Sequence, residues 1–351
     1  MSALADDVST YLKRRARWSP FEIAFWLVAF ASIWLFPDKY LILKDTAILA
    51  LFALSLDLIL GYAGIISLGQ AAFFGVAGYF SGLVAKYGVI NEPIVALFCS
   101  GLVAAALGFV TSFLVLRGSD LTRLMVTLGV SLMLGEVANR YSNITGGADG
   151  LQGVDIAPIL GRWHFDLYGH NGYVYCLIVL FVCFVIARRI VYSPFGLSLR
   201  AVKGNALRAS AIGIPVNWRL VSIYTVAAGF AGIAGALLTQ TTAFCSLDVF
   251  SLERSADLLL VLIIGGTGYL YGGLIGAVIY RFLQDWIATL TPQYWQFWIG
   301  LVLVAIVLVG RERMAGWIAA VRGILARIGE SVWSRLRPHS AALDGAAPDG
   351  N

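Results

Sequence analysis

Histidine and cysteine are scarce in this chain. His164, His170 and His339 are its three histidines, and all lie outside the long apolar runs, which excludes a catalytic or metal-holding histidine at membrane depth. Cys99, Cys176, Cys183 and Cys245 are scattered, the first three within apolar runs, and their spacing matches neither a disulfide framework nor a metal site. There is no phosphate-binding GxxxxGK followed by Ser or Thr and no nucleophile constellation, so the chain is not itself an ATPase and no cofactor is expected. Charge is rare as well, at 13% of 351 residues.

What fills the space is hydrophobic. The chain is 59% hydrophobic with a mean hydropathy of +0.82, so most of it must be solvated by lipid or by its own helices. Apolar runs dense in Leu, Val, Ile, Ala and Gly exceed the roughly ten residues of a barrel strand and select helices. The fold class is therefore an all-α polytopic membrane protein. Windows of about 20 residues place spans near 21–37, 45–61, 66–86, 93–116, 121–139, 172–188, 218–239, 255–266, 273–289 and 295–310.

Charge asymmetry orients these spans. With the N-terminus inside, 18 of the 25 Lys and Arg fall on the cytoplasmic face, six fall outside, and Arg281 sits within a span. Both termini are then cytoplasmic. Residues 1–20 form a cytoplasmic segment, with Lys13, Arg14, Arg15 and Arg17 ahead of an uncleaved first helix. The membrane domain covers 21–310. At 311–337, Met314, Ile318, Val321, Leu325, Ile328, Val332 and Leu336 recur at steps of three or four, predicting an amphipathic helix on the inner membrane surface. Residues 338–351 are small and polar and read as a disordered tail.

Two stretches break the smooth apolar pattern. LDLILGYAGIISLGQAAFFGVAGYFSG at 56–82 carries glycines at 61, 64, 69, 75 and 78, and LIIGGTGYLYGGLIGAV at 262–278 carries Gly265, Gly266, Gly268, Gly272 and Gly273. Unwound backbone at membrane depth is tolerated only when buried in protein or lining a cavity, and paired breaks point to a translocation route. The blander reading is close helix packing. Asp57, Gly61, Gly64, Ser67, Gln70, Gly265, Gly266 and Thr267 are the candidate path residues. Asp57 as an intramembrane carboxylate is either functional or bonded to neighbouring backbone. Glu136 and Arg140, four apart on one face, are expected to pair locally. Asp257, Arg281 and Asp285 fall near helix ends. The loop SNITGGADGLQGV at 142–154 is turn-rich and offers Gly146, Gly147, Asp149 and Gly150 at the outward mouth.

The segment YSPFGLSLRAVKGNALRASAIGIP at 192–215 has Arg200, Lys203 and Arg208 and no acid. Ser193 before Pro194 starts a helix, Gly204-Asn205 breaks it, Ala206 to Ile212 forms another, and Gly213 with Pro215 stops it. Leu197, Ala201 and Val202 would share the apolar face, with Arg200 and Lys203 towards the other. Such a pair either docks on a partner or lies on anionic lipid.

YSPFGLSLRAVKGNALRASAIGIPVNWRLVSIYTVAAGFAGIAGALL resembles the cytoplasmic coupling loop and following helix of ABC importer permeases of the branched-chain amino acid type. GYAGIISLGQAAFFGVAGY at 61–79 and ITGGADGLQGV at 144–154 resemble the larger of that family's two permease subunits, and GGTGYLYGGLIGA at 265–277 matches its glycine-rich segment. The resemblance implies a vitamin B12 importer-like permease in the bacterial inner membrane, non-catalytic. Its implied partners are a second homologous permease subunit, two ABC ATPase subunits and a periplasmic substrate-binding protein, besides membrane lipid. It assigns Ser193, Pro194, Gly196, Arg200, Lys203, Asn205, Arg208 and Gly213 to ATPase coupling and the 146–150 loop to the binding protein. Branched-chain amino acids are the default solute, with urea, short amides or small carboxylates as alternatives. The chain departs from the family pattern in having Gly204, Ala206 and Ser210 where acids are common, Asp57 for Asn, and Gln70 for His. An ion-coupled secondary carrier using Asp57 or Glu136 and a non-transporting scaffold are the rival readings.

Overall fold

The computed structural model describes residues 20–159, 161–163, 165 and 169–309. The expected surface helix at 311–337, the tail at 338–351 and the segment before Pro20 lie outside these residues. The described chain is helical: α1 Pro20–Leu35, α2 Tyr40–Leu56, α3 Gln70–Lys86, α4 Pro93–Val115, α5 Asp120–Arg140, α6 Ser142–Thr145, α7 His170–Val191, α8 Pro194–Gly204, α9 Ala206–Ala211, α10 Val216–Thr242, α11 Leu252–Gly265, α12 Leu270–Leu290 and α13 Trp295–Val309. Prolines open α1, α4 and α8, where a missing N–H costs no intrahelical bond.

A long helix stands at each of the ten stretches where a span was expected. Among the described residues, five helices satisfy both length and apolarity for crossing a bilayer: 37–63, 93–115, 120–140, 170–191 and 216–242. Two stretches expected as separate spans, α11 and α12, meet at a 111° bend and count as one broken element, which makes six. The bend falls at the second glycine break. The protein is thus a multi-pass, all-α membrane protein.

The chain forms two compact units that divide at Asp285 and Trp286. In the second, the Phe297 and Trp298 rings meet edge to face on α13. The first is organised around α10, packed against α2, α3 and α4. Small side chains make this possible. Ala227, Ala228, Ala231 and Ala234 are fully buried, and a Cβ on Gly232 would stand 3.1 Å from the Ala77 Cβ. One on Gly235 would overlap the Phe74 carbonyl. Glycine packing in lipid relies on this backbone proximity, since no hydrophobic force drives helices together there.

Away from this centre, α4 and α5 turn outward large apolar side chains such as Phe98, Leu102, Val110, Met125 and Met133, as lipid-facing surfaces require. The buried Arg188 of α7 pairs with Glu22 of α1, tying the first helix to the body. Gln240 on α10 gathers polar neighbours from three elements, donating to Ser81 and to the Pro93 carbonyl while accepting from Tyr175. All four cysteines are free. Glu136 and Arg140 are both exposed and, among the described residues, form no ion pair. Their four-residue spacing permits contact, but water competes for both charges.

Candidate functional site

The first glycine break is a change of helix type. After Leu56 the backbone passes into a π-helical turn over Asp57–Ala63, which ends on Gly64 in the left-handed conformation at φ 75°. π turns inside α-helices concentrate at functional positions. Gly61 is required here by proximity, since a Cβ would stand 2.6 Å from the Gly268 nitrogen and would overlap Asp57 Oδ1. The linker that follows is buried and satisfied by other helices. Leu68 N–H donates to Thr127 Oγ1 on α5 at 3.2 Å, while its carbonyl accepts from Ser255 on α11 at 2.6 Å. Ser67 accepts from the Gly69 N–H at 3.2 Å, and the fully buried Gln70 faces Ser55 at 3.5 Å.

The second break lies against the first. Gly266 and Gly268 take φ 94° and 81°, conformations that a side chain would strain. Gly265 sits so close to Gly272 that a Cβ would overlap its carbonyl, so the glycines here serve backbone approach between α11 and α12. Asp57 joins the two breaks: its Oδ1 accepts the Gly268 N–H at 2.7 Å. The carboxylate is fully buried and bonded to backbone.

A third element touches the first break from the other side. Ser193 Oγ caps α8 by accepting the Gly196 N–H at 3.4 Å, and Gly196 lies where a Cβ would overlap the Val191 carbonyl. Asn205 caps α9 by accepting the Arg208 N–H at 2.9 Å, and Gly213 ends the pair at φ 86°. The buried face of α8 is Gly196, Leu199 and Val202, whereas Ala201 is exposed and Leu197 half-buried. Val202 is buried as the sequence expects, but Gly196 and Leu199 take the places on that face expected for Leu197 and Ala201. Gly196 packs closely on the preceding turn, and two cations of this helix reach the first break with the tips of their side chains, although Lys203 itself is exposed. Lys203 Nζ donates to the Gly61 carbonyl at 2.6 Å, and Arg200 lies over the Tyr62 ring, 5.3 Å from its centre. Arg208 is exposed, flanked by Leu207 at 83% and Ile212 at 76% exposure.

The structure therefore brings Asp57, Gly61, Gly64, Lys203 and Arg200 to one junction, with Gly265, Gly266 and Thr267 beside it. Ser67 and Gln70 sit further along the same linker. The loop residues Gly146, Gly147, Asp149 and Gly150 form a separate group. Gly146, Gly147 and Gly150 all have positive φ, Thr145 Oγ1 binds the Ala138 carbonyl at 2.6 Å, and Leu151 N–H anchors the loop on the Cys245 carbonyl at 2.7 Å. Asp149 is exposed at the surface.

One polar cluster escaped sequence reasoning. A cavity of about 150 Å³ brings Asp45 of α2 together with Arg254 and Asp257 of α11 and Tyr280, Arg281 and Gln284 of α12. Arg281 bonds Asp45 at 2.7 Å and Gln284 at 2.8 Å, and Tyr280 donates to Asp257 at 2.7 Å. Asp257, near the start of α11, is thus bonded by α12, and Arg281 by α2, and both remain partly exposed. Among the described residues, no group of three His, Cys, Asp or Glu side chains is placed to hold a metal ion.

Comparison with known proteins gives a consistent result. Residues 40–307 match the family described as branched-chain amino acid transport system / permease component. The high-affinity branched-chain amino acid transport system permease protein LivM of Escherichia coli strain K12 is 24% identical over 256 residues, 67% of this chain and 60% of that protein. The probable branched-chain amino acid transport permease protein LivM of Methanocaldococcus jannaschii is 26% identical over 268 residues, covering 65% of this chain and 75% of the relative. A probable LivH permease of the same archaeon is 25% identical over 245 residues, 66% of this chain and 74% of its own length. The match spans 60% of the length of the Escherichia coli relative. No solved structure matches the chain.

Proposed function

The chain belongs to the branched-chain amino acid transport permease family, and from that premise we propose that it is a membrane-spanning permease subunit of an ATP-driven ABC importer. In this reading it pairs with a second homologous permease in the bacterial inner membrane, with both termini cytoplasmic. Its helices make about ten spans of roughly 20 residues in a vitamin B12 importer-like arrangement. Two ABC ATPase subunits supply hydrolysis, a periplasmic binding protein delivers the solute, and this chain carries out no chemistry. The solute is a branched-chain amino acid or a related small polar molecule.

The observation that carries the reading is the hydrogen bond from Lys203 to Gly61. It connects the α8–α9 projection to the first break, and Asp57 connects that break to the second. A push on α8 and α9 by closing ATPase subunits would move the Gly61 carbonyl and, through Asp57, the Gly268 backbone. Ser193, Pro194, Gly196, Asn205 and Gly213 shape this lever. Exposed Leu207, Arg208 and Ile212 meet the ATPase, while Arg200 and Lys203 transmit the motion inward. The π turn is the yielding element, because its wide helical repeat can rewind at little cost in hydrogen bonds.

We assign Asp57, Gly61, Gly64, Ser67 and Gln70 to one movable wall of the route and Gly265, Gly266 and Thr267 to the facing wall. Gly146, Gly147, Asp149 and Gly150 form the landing surface for the binding protein. Solubilisation in mild detergent tests the reading directly. A stoichiometric ATPase pair should purify with the chain, and reconstituted complexes should take up solute only when ATP is supplied. Uptake driven by an ion gradient without ATP would overturn it.

A further inference from the structure

The chain leaves α10 at Thr242 and doubles back into the membrane domain before α11 begins. Cys245 is still level with the loop after α5, since its carbonyl accepts the Leu151 N–H at 2.7 Å. Five residues later Phe250 is wedged between α3 and α5. Its ring stacks on Tyr79 at 5.8 Å, a Cβ on Gly75 would overlap that ring, and its carbonyl accepts from Ser131 Oγ at 3.0 Å. Ser251 then caps α11 by accepting the Arg254 N–H at 3.3 Å, and Ser255 donates to the carbonyl of Leu68, whose N–H is held by Thr127 of α5.

These contacts fix the depth of the first turn of α11. Ser131 stands nine residues before Arg140, the end of α5, and Thr127 thirteen, so Glu253 and Arg254 lie about 13–20 Å from that end at ~1.5 Å per residue. The hydrocarbon core of a bilayer is about 30 Å thick, which puts both residues near its middle. Yet both are exposed, and Leu252 beside them exposes 47% of its surface. An ionised side chain at that depth faces a protein neighbour or a water-filled cavity rather than lipid tails. We infer that the first turn of α11 lines a water-filled outer half of the solute route, with Glu253 and Arg254 as wall residues.

Two observations favour water over a covering subunit. Arg254 also lines the cavity of about 150 Å³ that holds Asp45, Asp257 and Arg281, so the exposed turn and this polar cavity are one surface carrying both signs of charge. A subunit seated there would have to strip water from each of these charges, a cost recovered only where every one meets a matched partner. In addition, α11 runs from this turn to Gly265, next to the bond between Asp57 and Gly268, so the wall is continuous with the junction of the two breaks.

The inference rests on the permease reading above in calling the water a route, and thiol accessibility separates the two. Cys176, Cys183 and Cys245 are buried and Cys99 is half-buried, so Cys99→Ser gives a background of low thiol reactivity. In that background Glu253→Cys is compared with Ala256→Cys, an exposed position one turn further on the same face that keeps both charges. Met125→Cys and Met133→Cys are the references, since these exposed apolar side chains of α5 bracket the same depth. The reconstituted complex is treated from outside, without ATP, with a membrane-impermeant methanethiosulfonate carrying a trimethylammonium group. Such reagents attack the thiolate, and apolar surroundings that raise a thiol pKa by about one unit cut the thiolate roughly tenfold. Both α11 cysteines should therefore react at least about tenfold faster than the two α5 cysteines, and modified Ala256→Cys should lose ATP-driven uptake. Reaction as slow as at the α5 positions would overturn the inference. So would fast reaction in the isolated chain with protection in the assembled complex, which would place the second permease there, or fast reaction that leaves uptake intact. Absence of ATP-driven uptake by the unmodified wild-type complex would instead overturn the permease reading.

Discussion

Lys203 crosses from α8 to donate its Nζ to the carbonyl of Gly61 at 2.6 Å, so a basic side chain of the projecting helix pair ends on the backbone of a broken helix more than a hundred residues away in sequence. That carbonyl belongs to a π turn, and Asp57 at the start of the same turn holds the Gly268 N–H. Three segments are therefore joined by two hydrogen bonds, both with one charged partner. Each such bond contributes about 1.5–3 kcal/mol, enough to make the segments move together.

Lys203→Met removes one of these bonds and keeps most of the aliphatic stem that packs against Gly64. Uptake should fall by at least about tenfold, the factor for a loss of 1.4 kcal/mol in coupling, while ATP hydrolysis by the assembled complex persists. Parallel assays of hydrolysis and uptake in proteoliposomes check this. Loss of hydrolysis and uptake together with loss of the ATPase from the complex would show that Lys203 holds the assembly instead.

Gly61→Ala should be damaging where Gly129→Ala is harmless. A Cβ at Gly61 meets the Gly268 nitrogen at 2.6 Å, and backbone cannot move aside as a flexible side chain can, so a cost of about 1–3 kcal/mol follows. At Gly129, within α5, a Cβ meets nothing within 4 Å, and replacing glycine in a helix gains up to about 1 kcal/mol. Thermal unfolding followed by size-exclusion chromatography should place the first variant several degrees below wild type and the second at or above it.

These relationships were unevenly legible in the sequence. The long helices follow from apolar length alone, and the ends of α8 and α9 follow from local chemistry at Ser193, Pro194, Asn205 and Gly213. The contact of Lys203 with Gly61 does not, because it depends on how α8 packs at Gly196 and on where the π turn lies. Glycine content marked both breaks but could not say that Asp57 ties them. The Asp45–Arg281 pair spans 236 positions, and no periodicity or motif connects residues so far apart.

Asp57→Asn distinguishes a bonded carboxylate from a proton carrier. An amide oxygen still accepts the Gly268 N–H, so ATP-driven uptake should stay within a few-fold of wild type. Asp57→Leu removes the acceptor and leaves a buried N–H unsatisfied at a cost of about 1–3 kcal/mol, and should reduce both yield and uptake. An ion-coupled carrier would respond differently: the asparagine variant would lose accumulation driven by a proton or sodium gradient as completely as the leucine variant. Uptake by both variants across a range of external pH separates the two cases.

The outermost part of the projecting pair should be separable from its inner part. Leu207 and Arg208 sit on α9 facing outward, and Leu207 exposes 83% of its surface, so neither contributes to the folded core. Leu207→Asp with Arg208→Asp should therefore leave the purified chain as stable as wild type yet release the ATPase subunits, since an apolar anchor and a cation are both replaced by acid at the contact. Arg200→Asp should behave in the opposite order. Arg200 lies over the Tyr62 ring, a cation–π contact worth about 0.5–2 kcal/mol, and an acid in that place repels the ring face and sits near the buried Asp57. Its first effect is lower thermal stability, with ATPase binding lost only as the α8 contact to the π turn fails. Retention of the ATPase pair by the double acid variant would remove α9 from the interface.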